Sequence, residues 1–235
     1  MDFAAMRVFT YFQPCRGMAR PDRLIQLWED SWSKQGWEPV VLDQSDAEQH
    51  PGFDDYHSAI MRLPTVNNRE YENACYLRHM AMACQDGGLL TDYDVINRNF
   101  APSDLEHCWH DRVQGSWPVF LEPTMVPCAL YCDDPEGWEN FTDAIMEHPA
   151  AGMMHKGRPH VSDQDISRAL GIGRCVGAFC VEHLCSGSQI PNDLGDGWKR
   201  AKMIHFSNAS FVKLGAKGDR VTLIKAVLNK LPPTR

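Results

Sequence analysis

The chain alternates short apolar runs with longer stretches of helical spacing, and that alternation sets the expected order of elements. Met6 to Phe12 is a β-rich run stopped by Gln13-Pro14 and reads as a first strand. Pro21 opens a helix expected to reach about Gln35, with Leu24, Leu27, Trp28 and Ser31 along one side and Gly36 as its stop. Trp37 to Asp43 reads as a second strand. Strand, helix and strand in close succession form a βαβ unit, whose parallel strands are joined by a right-handed crossover.

A polar stretch punctuated by Pro51, Gly52 and Pro64 follows, with a short helix expected at Tyr56 to Arg62. The main helix comes next. Asn67 with Glu70 three residues on reads as a capping box, and Ala74, Leu77, Met80, Ala81 and Cys84 form a stripe at helical spacing before Asp86-Gly87-Gly88 ends it. Leu89 to Ile96 has the length and bounding glycines of a short buried strand. Further strands are expected at Gly115 to Glu122 and Met125 to Tyr131, then a helix at Pro135 to His148 on the spacing of Trp138, Phe141, Ile145 and Met146. Another helix starts at Asp163 and continues to Leu170, Ala178 to Leu184 fits either a strand or a helix, Ala201 to Phe206 is a late strand, and Val221 to Leu231 is a terminal helix stopped by Pro232-Pro233. No internal repeat or low-complexity tract interrupts this order. At 235 residues, one α/β domain spanning the chain, with helices flanking a central sheet, accommodates it.

A formal charge of -8 with scattered Lys and Arg excludes a basic nucleic-acid face. No stretch approaches a membrane span and the start of the chain carries no secretory pattern, so a soluble, cytoplasmic protein is expected. Nine cysteines without a small-domain disulfide spacing point to reduced thiols. Cys180, His183 and Cys185 lie close together in sequence, but no Cys-x-x-Cys pair accompanies them, so a zinc site is a weak reading.

The chemistry is concentrated after the glycine pair. On a strand, Asp92 and Asp94 would point to the same face, and two adjacent carboxylates are costly to bury unless a cation lies between them. A hard divalent ion is the usual solution. The alternative is a solvated turn or a helix cap, of which Asp163-Gln164-Asp165 is a second candidate in the chain. The position of the first pair at the carboxyl end of a strand, where open α/β sheets bind ligands, favours the metal reading.

Gly87-Gly88, an apolar run and then Asp92-Tyr93-Asp94, preceded by a helix carrying Arg78, resembles the Asp-x-Asp glycosyltransferases of the GT-A fold, including the yeast-type mannosyltransferases, glycogenin and the bacterial galactosyltransferases. The resemblance implies a Rossmann-like α/β domain with a mixed, mainly parallel sheet, and transfer of a hexose from a UDP- or GDP-sugar to a hydroxyl acceptor. It also implies Mn²⁺ or Mg²⁺ on the donor diphosphate, held by Asp92 and Asp94. Thr10 and Tyr11 would lie against the base, with Arg78, Asp92 and Tyr93 also on the nucleotide sugar. Arg78 lies nine residues before Gly87, where the family usually has eight.

Val161 to Ile166 resembles the Asp-Gln-Asp-x-Leu-Asn segment of the retaining galactosyltransferase and glycogenin group, which implies donor-sugar contacts from Asp163, Gln164 and Asp165 and retention of the anomeric configuration. Ser167 and Arg168 replace the Leu and Asn. The same residues also read as a helix start with Ser162 as cap. Met203 to Ser207 resembles the carboxy-terminal segment whose histidine completes the metal site, which implies His205 as a third ligand; imidazole beside two carboxylates suits Mn²⁺. The family's following Gly-x-x-Lys-Pro is absent, leaving Lys213 or Lys217 for a diphosphate contact. Two rivals stay open: a phosphohydrolase with an Asp92 nucleophile and an Asp94 acid, although no later paired-acid motif follows, and a nucleotide-sugar-binding module without turnover.

Overall fold

The computed structural model describes residues 6–16, 20–107, 117–121, 126–147, 153–155, 157–172, 180–182, 201–207 and 219–231. The opening βαβ unit forms as expected, with β1 (Arg7–Tyr11), α1 (Asp22–Ser33) and β2 (Glu38–Leu42). Two short helices follow, α2 (Gln44–Ala47) and α3 (Phe53–Arg62), before the main helix α4 (Arg69–Ala83). Next come β3 (Gly88–Thr91), β4 (Val95–Asn97), β5 (Val119–Phe120), β6 (Ala129–Cys132) and α5 (Pro135–Glu147). The chain continues through β7 (Met154–His155), β8 (Arg158–Pro159), α6 (Asp163–Ala169), β9 (Cys180–Glu182), β10 (Met203–His205) and α7 (Arg220–Lys230).

The central sheet has the order β2-β1-β3-β6-β5. β1 pairs parallel with β2 and β3, whereas β6 runs antiparallel to both β3 and β5. A smaller sheet, β4-β10-β9, pairs β10 antiparallel to β4 and parallel to β9. The mixed α/β architecture thus agrees with expectation. Side-chain alternation divides the core into two layers. Val8, Leu89, Ala129 and Tyr131 pack with Leu24, Trp28 and Trp32 of α1 and Ile224 of α7, whereas Phe9, Leu90, Leu130 and Cys132 pack with Tyr76, Leu77 and Met80 of α4 and Phe141 of α5. Burial on both faces explains why the strands read as unbroken apolar runs.

Three expectations are corrected. The cap of α4 is Asn68, not Asn67, and its side chain accepts hydrogen bonds from the Glu70 and Tyr71 amides. The stripe on α4 is broader than its apolar spacing suggests, because Glu72, Asn73, Arg78 and His79 are buried too. Leu89 to Ile96 is not one strand: a turn at Asp92 to Asp94 separates β3 from β4, closed by the Val95 amide donating to the Asp92 carbonyl at 2.9 Å.

The glycine pair is required where the chain enters β3. Gly87 has φ +87°, and a Cβ there would lie 2.4 Å from the Asp133 backbone; Gly88 has φ +136°, and its Cβ would lie 2.8 Å from the Phe9 ring. Any side chain at either position would push β3 away from β1 or from the β6–α5 turn.

Candidate metal and donor site

Three tryptophans hold the acidic turn. The indole N–H groups of Trp28, Trp32 and Trp37 donate to Thr91 Oγ1 (2.9 Å), the Val95 carbonyl (3.1 Å) and the Phe100 carbonyl (2.7 Å). The first clip falls just before Asp92 and the second just after Asp94. Each donor is 63 residues from its acceptor, so α1 and the segment after it run in step with the chain from β3 onward. The Asp92 amide adds a 2.9 Å bond to the Cys128 carbonyl. Buried indoles need partners for their N–H groups, and here those partners fix the turn that presents the two carboxylates.

Strand pairing brings in the third residue. His205 on β10 lies in register with Val95 on β4, and the Phe206 amide donates to the Asp94 carbonyl at 2.9 Å. The imidazole Nε2 then stands 3.4 Å from Asp94 Oδ1 and 3.6 Å from Asp92 Oδ2. One donor atom from each of Asp92, Asp94 and His205 lies within 4.8 Å of the others, the only such group of three among the described residues. The two aspartates converge because the turn folds them inward, not because a strand alternates its faces. Asp94 is buried, and its Oδ1 accepts no hydrogen bond.

Each acid also has its own guanidinium. Arg78 of α4, 8 % exposed, donates through Nη1 to Asp92 Oδ1 and through Nη2 to Asp163 Oδ2, both at 2.5 Å. Arg220, the first residue of α7, donates to Asp94 Oδ2 and to the Phe206 carbonyl. Burial would raise the Asp94 carboxyl, but His205 and Arg220 hold it below the ordinary carboxylate range. Burial and the Asp94 charge push Asp92 up against the pull of Arg78. For His205, burial opposes the charged form, yet the neighbouring Cys128 sulfur and Asp94 carboxylate raise it well above its usual value.

Asp163, Gln164 and Asp165 open α6, and Ser162 caps it with the Asp165 carboxylate returning to the Ser162 amide and hydroxyl (3.1 and 2.7 Å). Asp163 instead turns into the core, where it accepts from Arg78 and, at 3.0 Å, pairs with His79. Burial would raise its carboxyl, but Arg78 and His79 hold it below the usual range. Burial in turn pushes His79 down to about 4. The structure therefore joins Asp163 to the acid pair through Arg78, whereas Asp165 is spent on the cap.

At the end of β1, Thr10 and Tyr11 are buried, and the Tyr11 hydroxyl donates to Gln13 Oε1 at 3.0 Å. Tyr93 in the turn is partly exposed and meets the Phe12 ring edge-on at 5.9 Å. Lys213, Lys217, His183 and Cys185 lie outside the described residues. Arg220 and the three tryptophans carry no signal of this role in the sequence, because their partners are distant along the chain.

No protein-family model matches the chain, and no curated protein matches it. Among solved structures, the chain is similar to the WbbM bifunctional glycosyltransferase in its apo form, with 13% sequence identity and a TM-score of 0.49. That similarity covers 97% of this chain and 52% of the other, so the chain spans about half the length of that protein. Among the described residues no helix is long and apolar enough to cross a membrane.

Proposed function

We propose that this chain, as a single domain, is a glycosyltransferase that moves a hexose from a UDP- or GDP-sugar to a hydroxyl acceptor with the help of a divalent cation, Mn²⁺ or Mg²⁺. The observation that carries the reading is the convergence of Asp92 Oδ2, Asp94 Oδ1 and His205 Nε2 at the end of a central strand. The donor set suits the ion: Asp94 Oδ1 is buried and accepts no hydrogen bond, and two carboxylates with one imidazole match Mn²⁺ in particular. A cation there supplies Lewis-acid neutralisation of the leaving diphosphate.

The chain's own groups do the positioning. The indole clips hold the turn rigid, Arg78 fixes the Asp92 carboxylate, and the β10–β4 register sets His205. On this reading Thr10, Tyr11 and Tyr93 take the nucleotide, with the partly exposed Tyr93 ring as the accessible aromatic face. Asp163, Gln164 and Arg78 form the donor-sugar side. Transfer with retention is the reading that the Asp163-Gln164-Asp165 resemblance suggests, and the state of these acids supports it: Asp163 is engaged by Arg78, His79 and the Gln164 amide and Asp165 closes a cap, so neither is suited to deprotonating an acceptor for direct inversion. Cytoplasmic action accords with the free thiols of Cys15, Cys75, Cys84, Cys128 and Cys132.

The test is hydrolysis of a panel of nucleotide sugars in Mn²⁺, set beside hydrolysis of an aryl phosphate. Cation-dependent sugar release from one nucleotide sugar, absent in Asp94→Asn, supports the reading. Turnover of the aryl phosphate alone would replace it with a phosphohydrolase, and nucleotide-sugar binding without any release would replace it with a binding module.

A further inference from the structure

Asp94 is shared. Its Oδ1 faces His205 and accepts no hydrogen bond, while its Oδ2 accepts from Arg220. A divalent ion that takes Asp94 therefore arrives beside a guanidinium already bound to the same carboxylate, and two like charges on one small anion repel. The backbone that carries Arg220 is well anchored. Asp219 caps α7 by accepting from the Thr222 amide at 3.1 Å and pairs with Arg23 of α1 at 3.2 Å. The side chain itself is about one-fifth exposed, and it also contacts the partly exposed Tyr93. The helix start can thus stay fixed while the guanidinium changes partner.

We propose that Arg220 is an exchangeable counter-cation: it neutralises Asp94 in the cation-free protein, competes with the cation for that carboxylate, and passes to the donor diphosphate once the cation is bound. The chemistry of the second partner follows from the displaced group. A planar guanidinium released beside a bound cation meets an anion there only if the ligand brings one, and a diphosphate offers oxygens in the forked geometry that arginine matches. Arg220 is on this view a positioning residue in the cation-free state and a substrate-binding residue in the loaded one. Arg78 differs from it, because its second partner is the buried Asp163 carboxylate, a full charge that keeps it in place, whereas the second partner of Arg220 is the neutral Phe206 carbonyl.

The inference rests on the proposed cation and diphosphate donor, and its test separates the two. Isothermal titration of the full chain with Mn²⁺ alone should show Arg220→Gln binding the ion roughly tenfold more tightly than the wild type, because a competing charge-assisted hydrogen bond is gone. Titration of the Mn²⁺-loaded proteins with UDP and with GDP should show the opposite order for the better-bound nucleotide, with Arg220→Gln weaker by about tenfold and Arg220→Lys in between. Equal or weaker Mn²⁺ binding by Arg220→Gln would overturn the competition and leave the proposed function intact. Unchanged nucleotide affinity would overturn the transfer to the diphosphate. Failure of Mn²⁺ to bind either protein would overturn this inference together with the cation site beneath it. Far-UV circular dichroism and thermal unfolding check that each variant is folded, and Arg220→Lys, which keeps the charge, provides the comparison should Arg220→Gln not fold.

Discussion

Replacing Arg78 by Met removes a buried guanidinium while keeping most of its stem, and the structure sets both the size of the loss and its pH dependence. Asp163 is 4 % exposed, and its carboxylate accepts from Arg78 and from the Gln164 amide and pairs with His79. Removing one partner of a buried ion pair costs about 3–5 kcal/mol, because the remaining charge is left uncompensated. Here His79 limits the damage. Burial pushes it down to about 4 and the Arg78 charge pushes in the same direction, so without Arg78 it takes up a proton more readily and can pair with Asp163. Asp163 itself loses the partner that holds it low and is protonated at higher pH than before. Both adjustments bind protons in the folded state, so the deficit grows as pH rises. Urea unfolding should show a loss of about 3 kcal/mol at pH 8 and clearly less at pH 5.5. Adding Asp163→Asn should recover part of the pH 8 loss, since the unpaired charge is then gone. A pH 8 loss below about 1 kcal/mol, or a double variant that loses the sum of the two single losses, would refute the argument.

Asp94→Asn should lower turnover by at least about two orders of magnitude in a steady-state assay while the circular dichroism spectrum stays folded, because in the proposed reaction it removes a cation ligand that stabilises the leaving group. His205→Ala should raise the Mn²⁺ concentration for half-maximal activity and spare the protein's ability to turn over at saturating Mn²⁺; an unchanged titration curve returns His205 to a packing role. Proton NMR of the first-formed product should show the anomeric configuration of the donor. Glu72, buried on α4 with Thr65 and Asn67 donating to it at 3.2 and 2.8 Å, is raised by burial from its ordinary 4.5 to about 7, so folding loses stability as pH rises through that window, opposite in sign to buried His79, whose contribution grows between about 4 and 6.5. Glu72→Gln should therefore match the wild type near pH 4.5 and exceed it by about 2 kcal/mol at pH 8 in urea unfolding.

The parts of the fold that were legible in the sequence are those set by local rules. The βαβ start follows from three consecutive segments of the chain, and the glycine stop of α4 and the Ser162 cap of α6 depend on residues within a few positions of each other. The acid pair was legible too, but for a different geometric reason, since a four-residue β3 ends before Asp92 and a turn delivers the carboxylates. On α1, Leu24, Trp28 and Ser31 are buried as the spacing suggests and Leu27 packs against the core at the edge of that face, whereas Ile25 and Trp32 join it unannounced, Trp32 because its indole reaches the Val95 carbonyl 63 residues on. Arg78 could be read as a surface group or as a phosphate ligand. What fixes it is Asp163, 85 residues away, and no local pattern encodes that distance.

The same long-range pairing explains why the acids can be buried at all. Asp163, Arg78, Asp92, His205, Asp94 and Arg220 form a row in which acidic and basic groups alternate, with contacts of 2.5 to 3.6 Å from Asp163 to Asp94 and Arg220 hydrogen-bonded to Asp94 at its end. Burying any one of these charges alone would cost several kcal/mol, and each neighbour offsets part of that cost. The row balances its charges without an added cation, so a cation taken up there, as proposed, would redistribute partners already present. The two ends of the row differ in what they permit. At the Arg78 end the second acid is buried and the geometry is locked, which suits a group that must hold Asp92 in one orientation. At the Arg220 end the side chain is partly exposed and reached from the start of a helix, which suits a group that must move when the charge in the site changes.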